Sequence, residues 1–197
     1  MNEKEKMKSG VWYDANNDEN LLKERDQAEE LYFTFNHTNP KEKEKREKIL
    51  HTLLPNKGNN VTILSPFYTD YGYNCYIGKD TFINHNAYLM DGATIHIGEH
   101  CFIGPNCGIY TGEHPLIFEE RNKGFEKALP IIIEDHVWIG ADVTILAGVH
   151  IGKGSVIGAK SLVTKDIPAG VIAYGSPCKV IRNITKEDTI ERDIYEN

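Results

Sequence analysis

From about Val61 onward, large apolar residues return at every sixth position, a spacing that neither an α-helix nor an alternating strand produces. The series runs through Tyr71, Ile77, Ile83 and Leu89, then Ile97, Ile103 and Ile109, then Ile133, Ile139, Ile145, Ile151, Ile157 and Val163. Small or β-branched residues stand four places after an apolar one, at Cys75, Thr81, Ala87, Cys101, Cys107, Val137, Val143, Val149, Ser155 and Ser161. Glycine directly follows in Ile77-Gly78, Ile97-Gly98, Ile103-Gly104, Ile139-Gly140, Ile151-Gly152 and Ile157-Gly158. Many copies in phase make this a hexapeptide repeat. Each unit supplies one flat strand and one turn, so three units close a triangular coil with the branched residue inward, and coils stack like over like. Glycine is expected to serve a strained turn. No helical pattern separates the strands, which excludes a βα fold. The spacing therefore predicts a mainly β chain, a left-handed parallel β-helix.

Two interruptions break the period. Leu89 and Ile97 are eight apart, which predicts a two-residue bulge at one corner. Between Ile109 and Ile133 the chain leaves the coil at Glu113-His114-Pro115 and returns at Ala128-Leu129-Pro130. A long non-repeating loop within a regular solenoid is usually functional.

The N-terminal part reads as helical. Asp18 is a candidate N-cap, followed by Leu21, Leu22, Ala28, Leu31, Tyr32 and Phe35 at roughly helical spacing as far as His37. A second helix is predicted from Asn39-Pro40 through the charged run Lys41 to Lys48 and the apolar Ile49, Leu50, Leu53 and Leu54. The alternating signs of that run mark a solvated face. The expected organisation is a helical cap over 1–60, a β-helix over 61–183 with an external loop at 113–130, and a tail over 184–197.

Composition excludes several classes. Formal charge is -7, against a broad nucleic-acid surface. No apolar run approaches the roughly 20 residues of a membrane span, and the start lacks the apolar stretch of a secretory signal. The expectation is a cytoplasmic protein. Cys75, Cys101, Cys107 and Cys178 form no CxxC pair, so free thiols are expected.

Of eight histidines, His114 stands where the coil breaks, before a proline and at the mouth of the long loop. A neutral imidazole near physiological pH can accept a hydroxyl proton. Asp70, Asn84 and Asp91 lie on neighbouring coils and offer polar contacts to a hydroxylated acceptor. The cysteines at small inward positions read as packing.

Phe67-Tyr68-Thr69-Asp70-Tyr71-Gly72, Ile83-Asn84-His85-Asn86, Tyr110-Thr111-Gly112-Glu113-His114-Pro115, Val137-Trp138-Ile139-Gly140-Ala141, Val163-Thr164-Lys165-Asp166-Ile167-Pro168 and Gly175-Ser176-Pro177-Cys178-Lys179-Val180-Ile181-Arg182 together resemble the galactoside and maltose O-acetyltransferase family. The helical start, ending in Phe35-Asn36-His37, resembles that family's cap. The resemblance implies an acetyl-CoA-dependent transferase acting on a sugar hydroxyl, without a metal, and a homotrimer with sites between adjacent β-helices. It implies His114 as general base and Asp70, Asn84, Asp91 and Arg25 on the acceptor side. It aligns Trp138, Ala141, Ala159, Thr164, Lys165, Lys179 and Arg182, with Asn84 again, along the CoA groove. Galactoside-binding members carry Ser at the Asp70 position and Asp at the Gly92 position; these departures bear on the acceptor and not on the reaction.

The expected mechanism is direct attack of the sugar oxygen on the thioester, with backbone N–H groups near Gly140-Ala141 facing the oxyanion. Two other readings share the fold. One is a zinc hydratase resembling the γ-class carbonic anhydrases, against which stands the absence of a His-x4-His pair. The other is a non-catalytic scaffold, which would need neither His114 at a loop mouth nor Lys165, Lys179 and Arg182 near the C-terminal coils.

Overall fold

The computed structural model describes residues 1–190; of the tail expected over 184–197, residues 191–197 lie outside the described residues. Three helices precede the coils: α1 (Glu3–Lys8), α2 (Glu19–His37) and α3 (Lys43–Leu53). Asp18 caps α2 as expected, its carboxylate accepting from the Leu21 N–H at 2.9 Å. α3 starts later than Asn39-Pro40 suggests. The Asn39 side chain accepts from the Lys41 N–H (3.0 Å) and its carbonyl from the Glu42 N–H (2.9 Å), so 39–42 close as a turn. From α3, the Arg46 guanidinium donates to the carbonyls of Phe35 (3.0 Å) and Thr38 (3.1 Å), satisfying the end of α2. α1 carries too few apolar residues for a periodic signal, and it is held by an Asn2–Glu5 capping box and the buried Met7.

The coils form a parallel β-helix with three faces. The first holds strands 75–77, 95–97, 131–133 and 150–151; the second 62–63, 82–83, 102–103, 138–139, 156–157 and 171–174; the third 67–69, 87–90, 108–110, 144–145 and 162–163. Like stacks on like: Ile83, Ile103, Ile139 and Ile157 are successive register partners. Every branched residue of the six-residue series from Ile77 to Val163 is buried, and so are the small residues between them. Each such isoleucine contributes about 1.5–3 kcal/mol of burial. Tyr71 departs from this pattern. Thr69 takes the inward place beside Leu89, and Tyr71 is buried in a separate cluster with Met7, Tyr13, Ala15, Leu21 and Ala128 under the cap.

The repeat glycines do a different job from the one their sequence suggests. None of Gly78, Gly98, Gly104, Gly140, Gly152 and Gly158 has positive φ; the left-handed residues fall two places later, at Asp80, His100, Asn106, Asp142, Gly154 and Lys160. What the glycines lack is room. A Cβ on Gly78, Gly98, Gly104, Gly140 or Gly152 would lie 2.4–2.7 Å from backbone of the next coil, and one on Gly158 would lie 2.7 Å from the Tyr174 Cβ.

At the corner between the third and first faces the long loop leaves the coil. Gly112–Glu113 pairs antiparallel with Phe125–Ala128, which pairs in turn with Tyr13–Asp14 of the cap. This three-stranded sheet stands outside the coil, tipped by the short helix α4 (Phe118–Arg121). At the far end, Val171–Tyr174 and Lys179–Asn183 form an antiparallel pair. No helix among the described residues is long and apolar enough to cross a membrane.

Candidate active site

His114 follows directly on the Gly112–Glu113 strand, with an exposed side chain and the buried Pro115 behind it. Its Nδ1 lies 2.9 Å from the Phe125 carbonyl across the local sheet. A carbonyl can only accept, so Nδ1 carries a proton and, in the neutral ring, the lone pair is on Nε2. That is the tautomer a general base requires.

Next to Phe125 in the same strand, Glu126 enters a polar cavity of about 380 Å³ that is also lined by Arg25, Asp26, Glu29, Tyr32, Thr69, Asp70, Tyr88 and Met90. Gly112 marks the common wall, since a Cβ there would lie 3.4 Å from the Met90 sulfur and 3.5 Å from the Glu126 carboxyl. Tyr88 donates its hydroxyl to Asp70, and Tyr13 donates to Glu126. Burial pushes both carboxyls above the usual carboxylate range. The Tyr88 hydrogen bond and Arg25 pull Asp70 back; the Tyr13 hydrogen bond, His114 and Arg25 pull Glu126 back, while Asp70 pushes it up. Arg25 donates to the Ala15 carbonyl at 2.5 Å, which fixes the guanidinium at the rim.

Asp91 has a different place. It is fully buried, and its carboxylate accepts from the Thr69 hydroxyl (2.8 Å) and the N–H groups of Asp70 (3.1 Å), Tyr71 (2.8 Å) and Asn74 (3.1 Å). These contacts clamp the bulged corner at 70–74, so Asp91 positions Asp70 and presents no free carboxylate to a ligand. Gly92 sits where a Cβ would meet the Glu126 Oε1 and the Tyr13 hydroxyl, each at 3.2 Å. An acid on the loop strand thus occupies the space that an acid at position 92 would enter. Sequence reading misses Glu126 and Tyr13 because neither the loop nor the cap strand carries a period, and Tyr88 because it is an outward position of strand 87–90, which the six-residue series does not mark.

The residues aligned with a CoA groove divide among separate places. Asn84, Ala141 and Ala159 lie at the corner between the second and third faces, Asn84 in the column of Gly104, Gly140 and Gly158 and the alanines one place beyond it, where the Lys160 backbone N–H donates to the Ala141 carbonyl at 2.8 Å. The Asn84 Oδ1 accepts from the His85 N–H (2.8 Å). Gly140 donates its N–H to the Ile157 carbonyl at 2.8 Å, which commits that group to the coil and removes it as an oxyanion donor. Trp138 points outward from the second face and is 56 % exposed, in register between Phe102 and Val156. Thr164 and Lys165 lie exposed beyond strand 162–163, on the same edge of the third face as His114. Lys179 and Arg182 belong to the last strand, where Arg182 makes a bidentate pair with Asp188 (2.6 and 2.8 Å) that holds the acid down to about 2. The third face therefore separates the Asn84 corner from the His114 corner.

The cysteines are packing groups. Cys75, Cys101 and Cys107 are buried, and burial raises all three thiols, Cys107 to about 11.

Residues 6–58 match the maltose acetyltransferase hexapeptide capping motif, and residues 74–111 and 130–165 match the bacterial transferase hexapeptide repeats. A Staphylococcus aureus (strain MRSA252) protein named as an acetyltransferase is 53 % identical over 187 residues, covering 95 % of this chain and 94 % of its own. This chain is a hexapeptide-repeat acetyltransferase of the maltose and galactoside type. A maltose O-acetyltransferase from Clostridium difficile 630 superimposes with a TM-score of 0.92 at 45 % identity, over 94 % of this chain and 99 % of the other. A galactoside acetyltransferase solved in complex with coenzyme A gives a TM-score of 0.92 at 39 % identity, over 95 % and 94 %. The acetyltransferase family thus accounts for cap and coils together.

Proposed function

We propose that this acetyltransferase moves the acetyl group of acetyl-CoA to a sugar hydroxyl, with His114 as general base. The observation that carries the reading is the Nδ1–H bond to the Phe125 carbonyl, which leaves the lone pair of the neutral ring on Nε2 of an exposed side chain whose charge is felt by Glu126 of the polar cavity. Nε2 takes the hydroxyl proton as the oxygen attacks the thioester carbon, and the imidazolium then returns it to the departing sulfur. Asp70, Glu126 and Arg25 hold the acceptor, while Asp91 holds the corner that carries Asp70. Asn84, with its oxygen turned to the His85 N–H, offers its NH₂ group to the thioester oxygen beside the Ala141 N–H.

The working unit is a homotrimer. Asn84, Ala141 and Ala159 on one edge of the third face and His114 on the other cannot meet within one chain, so a complete site takes one edge from each of two neighbours. Exposed Phe102 and Trp138, with half-buried Phe82 beside them, form an apolar row on the second face, and Leu116, Ile117 and Phe118 protrude from the loop. Such patches suit an interface. Trp138, Thr164, Lys165, Lys179 and Arg182 then line the groove for CoA, with Arg182 leaving Asp188 for a phosphate. Four free cysteines fit the reducing cytoplasm.

His114→Ala tests the reading. Turnover, followed as free thiol released from acetyl-CoA, should fall by about 10²–10⁴-fold, while CoA affinity by calorimetry stays near wild type. Unchanged turnover would remove His114 from the mechanism.

A further inference from the structure

Resting on the acetyl-transfer reading above, the lining of the cavity says which hydroxyl compound it favours. Four carboxyl groups, Asp26, Glu29, Asp70 and Glu126, face one guanidinium, Arg25. That guanidinium already donates to the Ala15 carbonyl. Tyr88 and Tyr13 direct their hydroxyl protons at Asp70 and Glu126, each at a single carboxylate oxygen, so the second oxygen of each acid remains an acceptor. The cavity consequently offers many acceptors, an excess of negative charge and few donors. Its aromatic walls add to this. Tyr32 and Tyr88 line the cavity, and Tyr68 packs edge-on between them, with ring centroids at 5.5 and 6.4 Å. Aromatic faces beside carboxylates form a setting for an ammonium group.

We propose that the preferred acceptor is a sugar or sugar-like polyol carrying a protonated amine, with the ammonium held among Asp26, Glu29, Asp70 and Glu126 and a hydroxyl turned to His114. Anionic sugars are excluded by repulsion. The same carboxylates decide which atom is acylated. They keep the amine protonated, and an ammonium nitrogen has no lone pair with which to attack. The new bond is therefore between the acetyl carbon and the hydroxyl oxygen, the bond that breaks is the thioester C–S, and the hydroxyl proton passes through His114 to the CoA sulfur. The product is an ester and the amine stays free.

The test compares glucosamine, glucose, N-acetylglucosamine and glucuronate as acceptors for the full-length protein with acetyl-CoA, following thiol release at neutral pH and low salt. Glucosamine should exceed glucose and N-acetylglucosamine in kcat/KM by about tenfold, the worth of one charge-assisted hydrogen bond. The gap should narrow as salt is raised and narrow again in Glu29→Gln, and glucuronate should be the poorest. The product should lose its acetyl group to hydroxylamine, as an ester does and an amide does not. Glucose equal to or better than glucosamine, or an amide product, overturns the amine preference while leaving transfer to sugars intact. No thiol release with any of the four, from a protein that still binds CoA, overturns the sugar reading itself.

Discussion

Glu126 combines a half-buried carboxyl with an acidic neighbour, Asp70, and its own ionisation is disfavoured chiefly by burial. The sign of its effect on stability follows. A carboxyl raised in the folded state contributes stability below its unfolded pKa and loses that contribution as pH rises through the folded one. Glu126→Gln keeps an acceptor for Tyr13 and removes the charge. Its Tm relative to wild type should therefore be more favourable at pH 8 than at pH 5, read by thermal melts at both values; an equal difference at the two would show that the charge is not costly. Residues of this kind are the least legible in sequence. His114 could be singled out because it stands where a strict period fails, and Asp70 because it sits at a coil corner. Glu126 and Tyr13 lie in segments without periodicity, and only the pairing of those segments brings them to the cavity. Asp91 was visible as a polar corner residue, but its four hydrogen bonds to one turn could not be read from its position.

At the scale of elements, the small sheet of Tyr13–Asp14, Gly112–Glu113 and Phe125–Ala128 joins the cap to His114, the proposed base. Tyr13 is opposite Glu126 and Asp14 opposite Phe125, whose carbonyl orients the imidazole. The cap is thus connected to His114 by one strand pairing. Tyr13→Phe keeps the fully buried ring and deletes its bond to Glu126, costing about 1.5–3 kcal/mol for a hydrogen bond to a charged group. We expect kcat to fall severalfold with KM for acetyl-CoA unchanged, in steady-state assays. Lower stability with full kcat would make the strand a purely structural tie. The coils themselves were legible almost to the residue, because one inward side chain per six residues must recur wherever flat strands stack. The reason for the glycines was not. A Gly beside an Ile reads equally well as a strained turn or as a close approach, and only the coil spacing, with backbone 2.6 Å from a Cβ at Gly104, decides for the second.

For the whole molecule, the separation of Asn84 from His114 across the third face makes assembly a condition of chemistry in the mechanism proposed above. On that proposal a monomer carries each half of a site and no complete one. The residues alone do not show this, since Asn84 lies in the repeat, His114 at the start of the loop, and nothing in their spacing says that they occupy different edges; only the family resemblance points to sites between chains. The arrangement makes a prediction that single substitutions cannot test. His114→Ala and Asn84→Ala should each be inactive, or nearly so, as homogeneous proteins. When the two are mixed in equal amounts, unfolded and reassembled, every mixed ring of three contains one junction where an intact His114 edge meets an intact Asn84 edge. Random assembly then restores about a quarter of the wild-type sites. Light scattering should give a mass of three chains throughout. A reassembled mixture with no more activity than its components would mean that both residues act within one chain or that they do not share a site. Recovery near a quarter requires that the site be built between copies, because no chain in the mixture carries both residues.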